Sequence, residues 1–125
     1  MTPDGFTGQV TALMGEYLAA PLGAALPIDW GIEATVRERL GAHAGELAFG
    51  RGAITWEFPS LEEALAWQEA NFGALIAVRE QLGEERYPEL RERFAGLMRD
   101  WNRARDGTVT LPAAYLRVVA HKRRD

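Results

Sequence analysis

Residues 101–124 read WNRARDGTVTLPAAYLRVVAHKRR: a helix end, a sharp turn at Asp106-Gly107, and an apolar strand with a basic tail. In that strand Leu111, Ala113, Tyr115, Arg117 and Val119 fall on one face, and Pro112, Ala114, Leu116, Val118 and Ala120 on the other. Both faces carry apolar residues, the pattern of a strand covered on two sides rather than one. Its partner is found in ELAFGRGAITWEFPS, residues 46–60, where Leu47 and Phe49, then Ile54, Trp56 and Phe58, alternate with small or polar residues. The alternation changes phase near Gly50-Arg51-Gly52, which predicts either a bulge there or two short strands. The closing strand is expected to pair antiparallel with residues 52–58. A two-stranded sheet is marginal in water, so this hairpin calls for further sheet from another chain or from a further domain.

Around the strands the period is helical. In MTPDGFTGQVTALMGEYLAA, residues 1–20, Thr2 is the expected N-cap, Pro3 the first helical residue and Asp4 a first-turn acid. Phe6, Val10, Leu13, Met14, Tyr17 and Leu18 form one stripe, and Gly8 and Gly15 weaken the helix intrinsically. A Pro/Gly-punctuated connection over 21–31 leads to a shorter helix over 32–43, with Ile32, Val36 and Leu40 on one side and Gly41 as its stop. Pro59 ends the first strand, and Ser60 with Glu63 forms a capping box. The long helix it opens carries Leu61, Leu65, Phe72 and Ile76 on one part of its face, widened by Trp67, Leu75, Val78 and Leu82, with Gly73 as a bend. A further helix over 87–105 presents Leu90, Phe94, Leu97, Met98 and Trp101, with Arg103 and Arg105 in its last turn. The expected fold is α+β: about four helices packed on a small antiparallel sheet over residues 47–58 and 109–121, in a single domain spanning 1–125 and completed by self-association.

The 125 residues carry 47% hydrophobic and 26% charged side chains, the composition of a chain with one core. The net charge of −4 argues against a nucleic-acid surface, because such binding rests on clustered Lys and Arg. The basic run His121-Lys122-Arg123-Arg124 reads as a solvated chain end. There is no cysteine, which excludes disulfides and thiolate chemistry. No apolar run approaches the roughly 20 residues of a membrane span and no signal pattern opens the chain, so a cytoplasmic protein without membrane contact is expected.

Few residues suggest catalysis. His43 and His121 lie far apart in sequence, outside any metal-binding or catalytic pattern. Glu62-Glu63, Glu84-Glu85 and Glu89 with Glu92 read as capping and surface carboxylates. No nucleophile elbow, phosphate-cradling loop or dinucleotide fingerprint is present. The aromatic set Trp30, Trp56, Trp67, Phe72, Trp101 and Tyr115, with Met14 and Tyr17, reads either as core or as the lining of a pocket for a flat apolar molecule. Asn71, beside Phe72 on a mostly apolar helix, is the polar residue most in need of a partner.

The ordered stretches TPDGFTGQVTALMGEYL, DWGIEATVRERLG, ITWEFPSLEEALAWQEANFGALIAV and NRARDGTVTLPAAYLRVVAHKR resemble the C-terminal part of class I S-adenosylmethionine-dependent methyltransferases of the small-molecule type, over nearly the whole chain. The T-P-x-G-F start, the strand ending F-P-S and the N-R-A-x-D-G-T turn before Y-L-x-V-V-A carry the resemblance. It implies that the two strands form the antiparallel edge of a doubly wound sheet. It also implies that the glycine-rich cofactor loop and the acidic residue of such enzymes belong to a region preceding the one Thr2 resembles, with Met1 at the position usually held by a tryptophan. By position it implies Met14, Tyr17, Trp67, Asn71 and Phe72 as substrate-pocket residues, and it transfers no catalytic residue. The expectation is a free-standing methyltransferase C-terminal-like domain without methyl-transfer activity alone, acting as a small-molecule-binding or partner module and assembling as a homodimer. No cofactor is expected for this chain by itself. The alternative is the substrate-binding part of a split or truncated methyltransferase, with S-adenosylmethionine held by a separate cofactor domain. A compact enzyme of another class, built on His43 or a glutamate pair, is a third expectation.

Overall fold

The computed structural model describes residues 1–18 and 27–124. Helix α1 (Phe6–Tyr17) is followed by a 3₁₀ turn (Pro27–Gly31), α2 (Glu33–Leu40), β1 (Ala44–Phe58), α3 (Leu61–Asn71), α4 (Gly73–Trp101) and β2 (Val109–Lys122). The α+β class is as expected, with four helices and a two-stranded antiparallel sheet. Residues 21–26 of the expected Pro/Gly connection, and residues 19 and 20 before it, lie outside the described residues.

The strands pair from Phe58 opposite Val109 to Ala44 opposite Lys122. The ladder runs without a shift through Gly50, Arg51 and Gly52; its one irregularity falls between Ala44 and Glu46. Directly opposed residues share a face. Ile54, Trp56 and Phe58 therefore lie with Val109, Leu111 and Ala113 on one face, while Leu47 and Phe49 lie with Leu116, Val118 and Ala120 on the other. The change of phase seen in the sequence is thus not a bulge. Helices α1, α3 and α4 cover the first face near the Asp106-Gly107 end, where Val109, Leu111 and Ala113 are buried. Helix α2 contacts β1, with the Arg37 guanidinium 4.6 Å from the centre of the Phe49 ring on the opposite face.

The core joins Phe6, Val10 and Leu13 of α1 to Leu65 of α3, Leu75, Leu90, Phe94 and Met98 of α4, and Leu111 of β2. Each such side chain contributes about 1.5–3 kcal/mol by leaving water.

Three expected boundaries move. Helix α1 begins at Phe6 rather than Pro3, because the backbone N–H of Thr2 donates to the Ala114 carbonyl (3.0 Å) and holds the chain's first residues against β2. That segment passes so close that a Cβ would meet the Pro3 carbonyl oxygen at 1.8 Å from Gly8, and the Met1 carbonyl oxygen at 1.9 Å from Gly31. Gly8 is therefore needed for a close approach, whatever it takes from helix propensity. The long helix expected from Leu61 breaks at Phe72, which is extended (φ −88°, ψ 103°), and α4 then continues beyond Leu82 with a kink at Gly83 (φ 72°, ψ 178°). Arg103 and Arg105 lie past the end of α4. There Asn102 takes over: its Oδ1 accepts from the N–H groups of Ala104 (3.0 Å) and Thr110 (2.8 Å), and its Nδ2 donates to the Thr108 carbonyl (3.0 Å).

Glu69 of α3 ties down both sides of the α4 kink. It accepts from Arg79 (3.4 Å) before Gly83, and from the Tyr87 hydroxyl (2.7 Å) and Arg91 Nε (3.1 Å) after it. Burial, reinforced by the hydrogen bond to Glu69, holds the Tyr87 phenol protonated well above its ordinary range.

Candidate functional site

A cavity of about 240 Å³ lies between α1, α3 and the sheet. Phe6 and Val10 enter it from successive turns of α1, Trp56 from the helix-covered face of β1, Gln68 from the last turn of α3, Phe72 from the break between α3 and α4, and Phe94 from α4. A second depression of about 410 Å³ shares Met1, Thr11, Ile28 and Phe72 with it and adds Met14, Pro27 and Ala74.

The walls are apolar, with a few polar exceptions. Gln68 is buried on the inner stripe of α3, between Leu65 and Phe72, and among the described residues its amide has no hydrogen-bond partner. The Thr7 hydroxyl is buried and likewise unpaired among the described residues. The Thr11 hydroxyl donates to the Thr7 carbonyl (2.8 Å). A buried polar group ordinarily has a hydrogen-bond partner, so the Gln68 amide on the cavity wall suits a hydrogen-bonding guest. Among the described residues no acidic, basic or histidine side chain lines the cavity. The arrangement can hold and orient a flat, mostly apolar molecule with one or two polar atoms.

The residues implied by position separate. Phe72 lines both depressions, and Met14 is buried and lines the second. Tyr17 instead sits at the α1–α4 seam, where its hydroxyl accepts from Arg93 (3.1 Å) beside the Arg93–Glu16 ion pair. Trp67 is 51% exposed and packs on Phe58, ring centres 5.9 Å apart. Asn71 is exposed and turns back to donate to the Trp67 carbonyl (2.9 Å). The polar residue that faces the cavity is Gln68, three positions from Asn71. Its signal was the spacing 61, 65, 68, 72, which sets a glutamine on an otherwise apolar stripe.

His43 and His121 are brought together, both exposed, at the far end of the sheet beside Leu40 and Lys122. Among the described residues no group of three or more His, Asp or Glu side chains is placed to hold a metal ion. Ser60 caps α3 as expected, its hydroxyl accepting from the Glu63 N–H (3.1 Å), while the Glu63 carboxylate meets the Ser60 hydroxyl (3.5 Å) rather than the Ser60 N–H. Among the described residues no helix is long and apolar enough to cross a membrane. No protein-family model matches the chain, and no curated protein matches its sequence.

Proposed function

We propose that this chain is a methyltransferase C-terminal-like module that binds a flat, largely apolar small molecule and does not transfer methyl groups by itself. The observation that carries this reading is the cavity between α1 and α3, with its aromatic walls and the buried Gln68 side chain among them. These are the helices that the sequence resemblance associates with the acceptor pocket, and Met14 and Phe72 line the two joined depressions. An apolar cavity of roughly 150 Å³ is enough to take up benzene, so about 240 Å³ admits a substituted ring or a small bicycle.

The test is titration calorimetry with indole, naphthalene and S-adenosylmethionine. Indole is expected to bind saturably, and S-adenosylmethionine to give no heat. Val10→Trp, which fills the cavity, is expected to remove indole binding while leaving the circular dichroism spectrum unchanged. Indole binding that survives Val10→Trp places the guest elsewhere, and saturable S-adenosylmethionine binding overturns the absence of a cofactor site.

A second reading, the substrate-binding part of an enzyme whose cofactor domain is separate, is favoured by the outer edge of β2. Among the described residues the backbone groups of Leu116 and Val118 on that edge have no partner outside the ladder, which leaves room for one more strand. It expects co-purification of a polypeptide of roughly 100–150 residues that confers S-adenosylmethionine binding on the mixture.

A further inference from the structure

The two edges of the sheet differ. Thr110 spends its N–H on Asn102 and its carbonyl on Arg103, and the Ala114 carbonyl accepts from Thr2, so these residues point their backbone groups away from β1. In an antiparallel ladder opposed residues point the same way, both inward or both outward. Their partners Glu57 and Ala53 therefore point outward on the other side, as do Thr55, Arg51 and Phe49 at the intervening two-residue steps. On β2 the outer edge is closed from Thr110 to Ala114 by Asn102, Arg103, Thr2 and the missing N–H of Pro112. On β1 none of these outward groups has a backbone partner among the described residues, and Arg51, Ala53, Thr55 and Glu57 are exposed. A long, uncovered edge without proline or lysine is a template for another strand.

We propose that this edge pairs with itself: two copies join antiparallel through β1, about a two-fold axis at Ile54, into one four-stranded sheet. The sequence on either side of Ile54 is self-complementary in that register. Arg51 meets the partner's Glu57, and Ala53 meets the partner's Thr55, in each case outward-pointing residue to outward-pointing residue. Gly52 stands opposite the partner's Trp56 and Gly50 opposite the partner's Phe58, with Tyr115 and Arg117 of the same chain reaching over the two glycines. Sliding the register by two residues either way leaves both charges unmatched. Ile54, 47% exposed on the same face as the exposed Tyr115 and Val119, packs against its own copy at the axis. The pairing does not depend on the cavity or on any ligand.

Light scattering across protein concentration tests the proposal. The wild-type chain is expected to weigh twice 13.9 kDa. Glu57→Arg and Arg51→Glu each set like charges together in both halves of the interface and are expected to weaken dimerisation at least tenfold. The double variant, which exchanges the charges, is expected to restore it. Among the described residues neither side chain forms an ion pair within its own chain, so Glu57→Arg should melt like the wild-type monomer, and Arg51→Glu, which sets a second negative charge near Asp4, slightly below it. Thr55→Pro removes an outward N–H without touching the ladder to β2 and is expected to give monomers. A wild-type monomer at several hundred micromolar overturns the proposal. So does a dimer indifferent to the single charge reversals, or one that the double exchange fails to restore.

Discussion

Gln68 is an amide in a place built for a leucine. Replacing it removes a buried polar group from an apolar stripe, so Gln68→Leu is expected to hold or raise stability by about 1 kcal/mol in urea unfolding. The same change should weaken indole, which carries an N–H, while leaving naphthalene binding unchanged; equal losses for both would show that the amide does not face the guest. Asp106 has a different role. Its carboxylate accepts from the N–H of Thr108 (3.0 Å) and from the Thr108 hydroxyl, and these bonds hold its pKa below the ordinary carboxylate range. A depressed folded-state pKa contributes stability that is present above the unfolded value, near 4, and is lost as pH falls through the folded value. Asp106→Asn is therefore expected to flatten the decline of melting temperature below about pH 4, and an unchanged decline would mean that other carboxylates dominate it.

Helix boundaries followed local chemistry where a side chain acts on nearby backbone, as the Ser60 hydroxyl does on the Glu63 N–H. They moved where a distant segment competes. Thr2 was a plausible cap, but the segment it opens runs along β2 and α1 starts only at Phe6, with Gly5 as its N-cap; the last turn expected at Arg103 is lost because Asn102 satisfies Thr110 instead. At Gly83 the combination of φ 72° and ψ 178° is open essentially to glycine alone. Gly83→Ala is expected to cost about 1–3 kcal/mol, read as a lower urea midpoint at unchanged slope. Since Glu69 grips both arms of the kink, the loss should appear together with faster amide exchange around Arg79 and Tyr87. A neutral substitution would mean that the kink relaxes without strain.

The sheet belongs to two environments. Near the Asp106-Gly107 turn it forms part of the core, and Leu111→Ala is expected to cost about 2–5 kcal/mol. Towards the chain end it projects past the bundle, and Val119→Ala should change the unfolding free energy of the monomer by less than about 0.5 kcal/mol. Equal effects at the two positions would mean that the far end is packed as tightly as the near end. Four helices, an antiparallel pairing of residues 52–58 with the closing strand, and an α+β fold could all be read from apolar period and turn chemistry, because those signals are local or depend on simple alternation. The candidate cavity could be read only in part. Phe72 and Met14 were accessible through position, but Gln68 was hidden because glutamine on a helix is ordinarily a surface residue. The phase change at Gly50-Arg51-Gly52 is plainly visible, yet it marks neither a bulge nor a division into two strands, since a sequence shows which residues are apolar and not which side a helix comes from. Periodicity settles what each segment becomes, because it reports the chain's own geometry. Which face is covered, which edge is left open and which polar group faces a void depend on segments far apart in sequence meeting in space, and those meetings are fixed only when the helices pack.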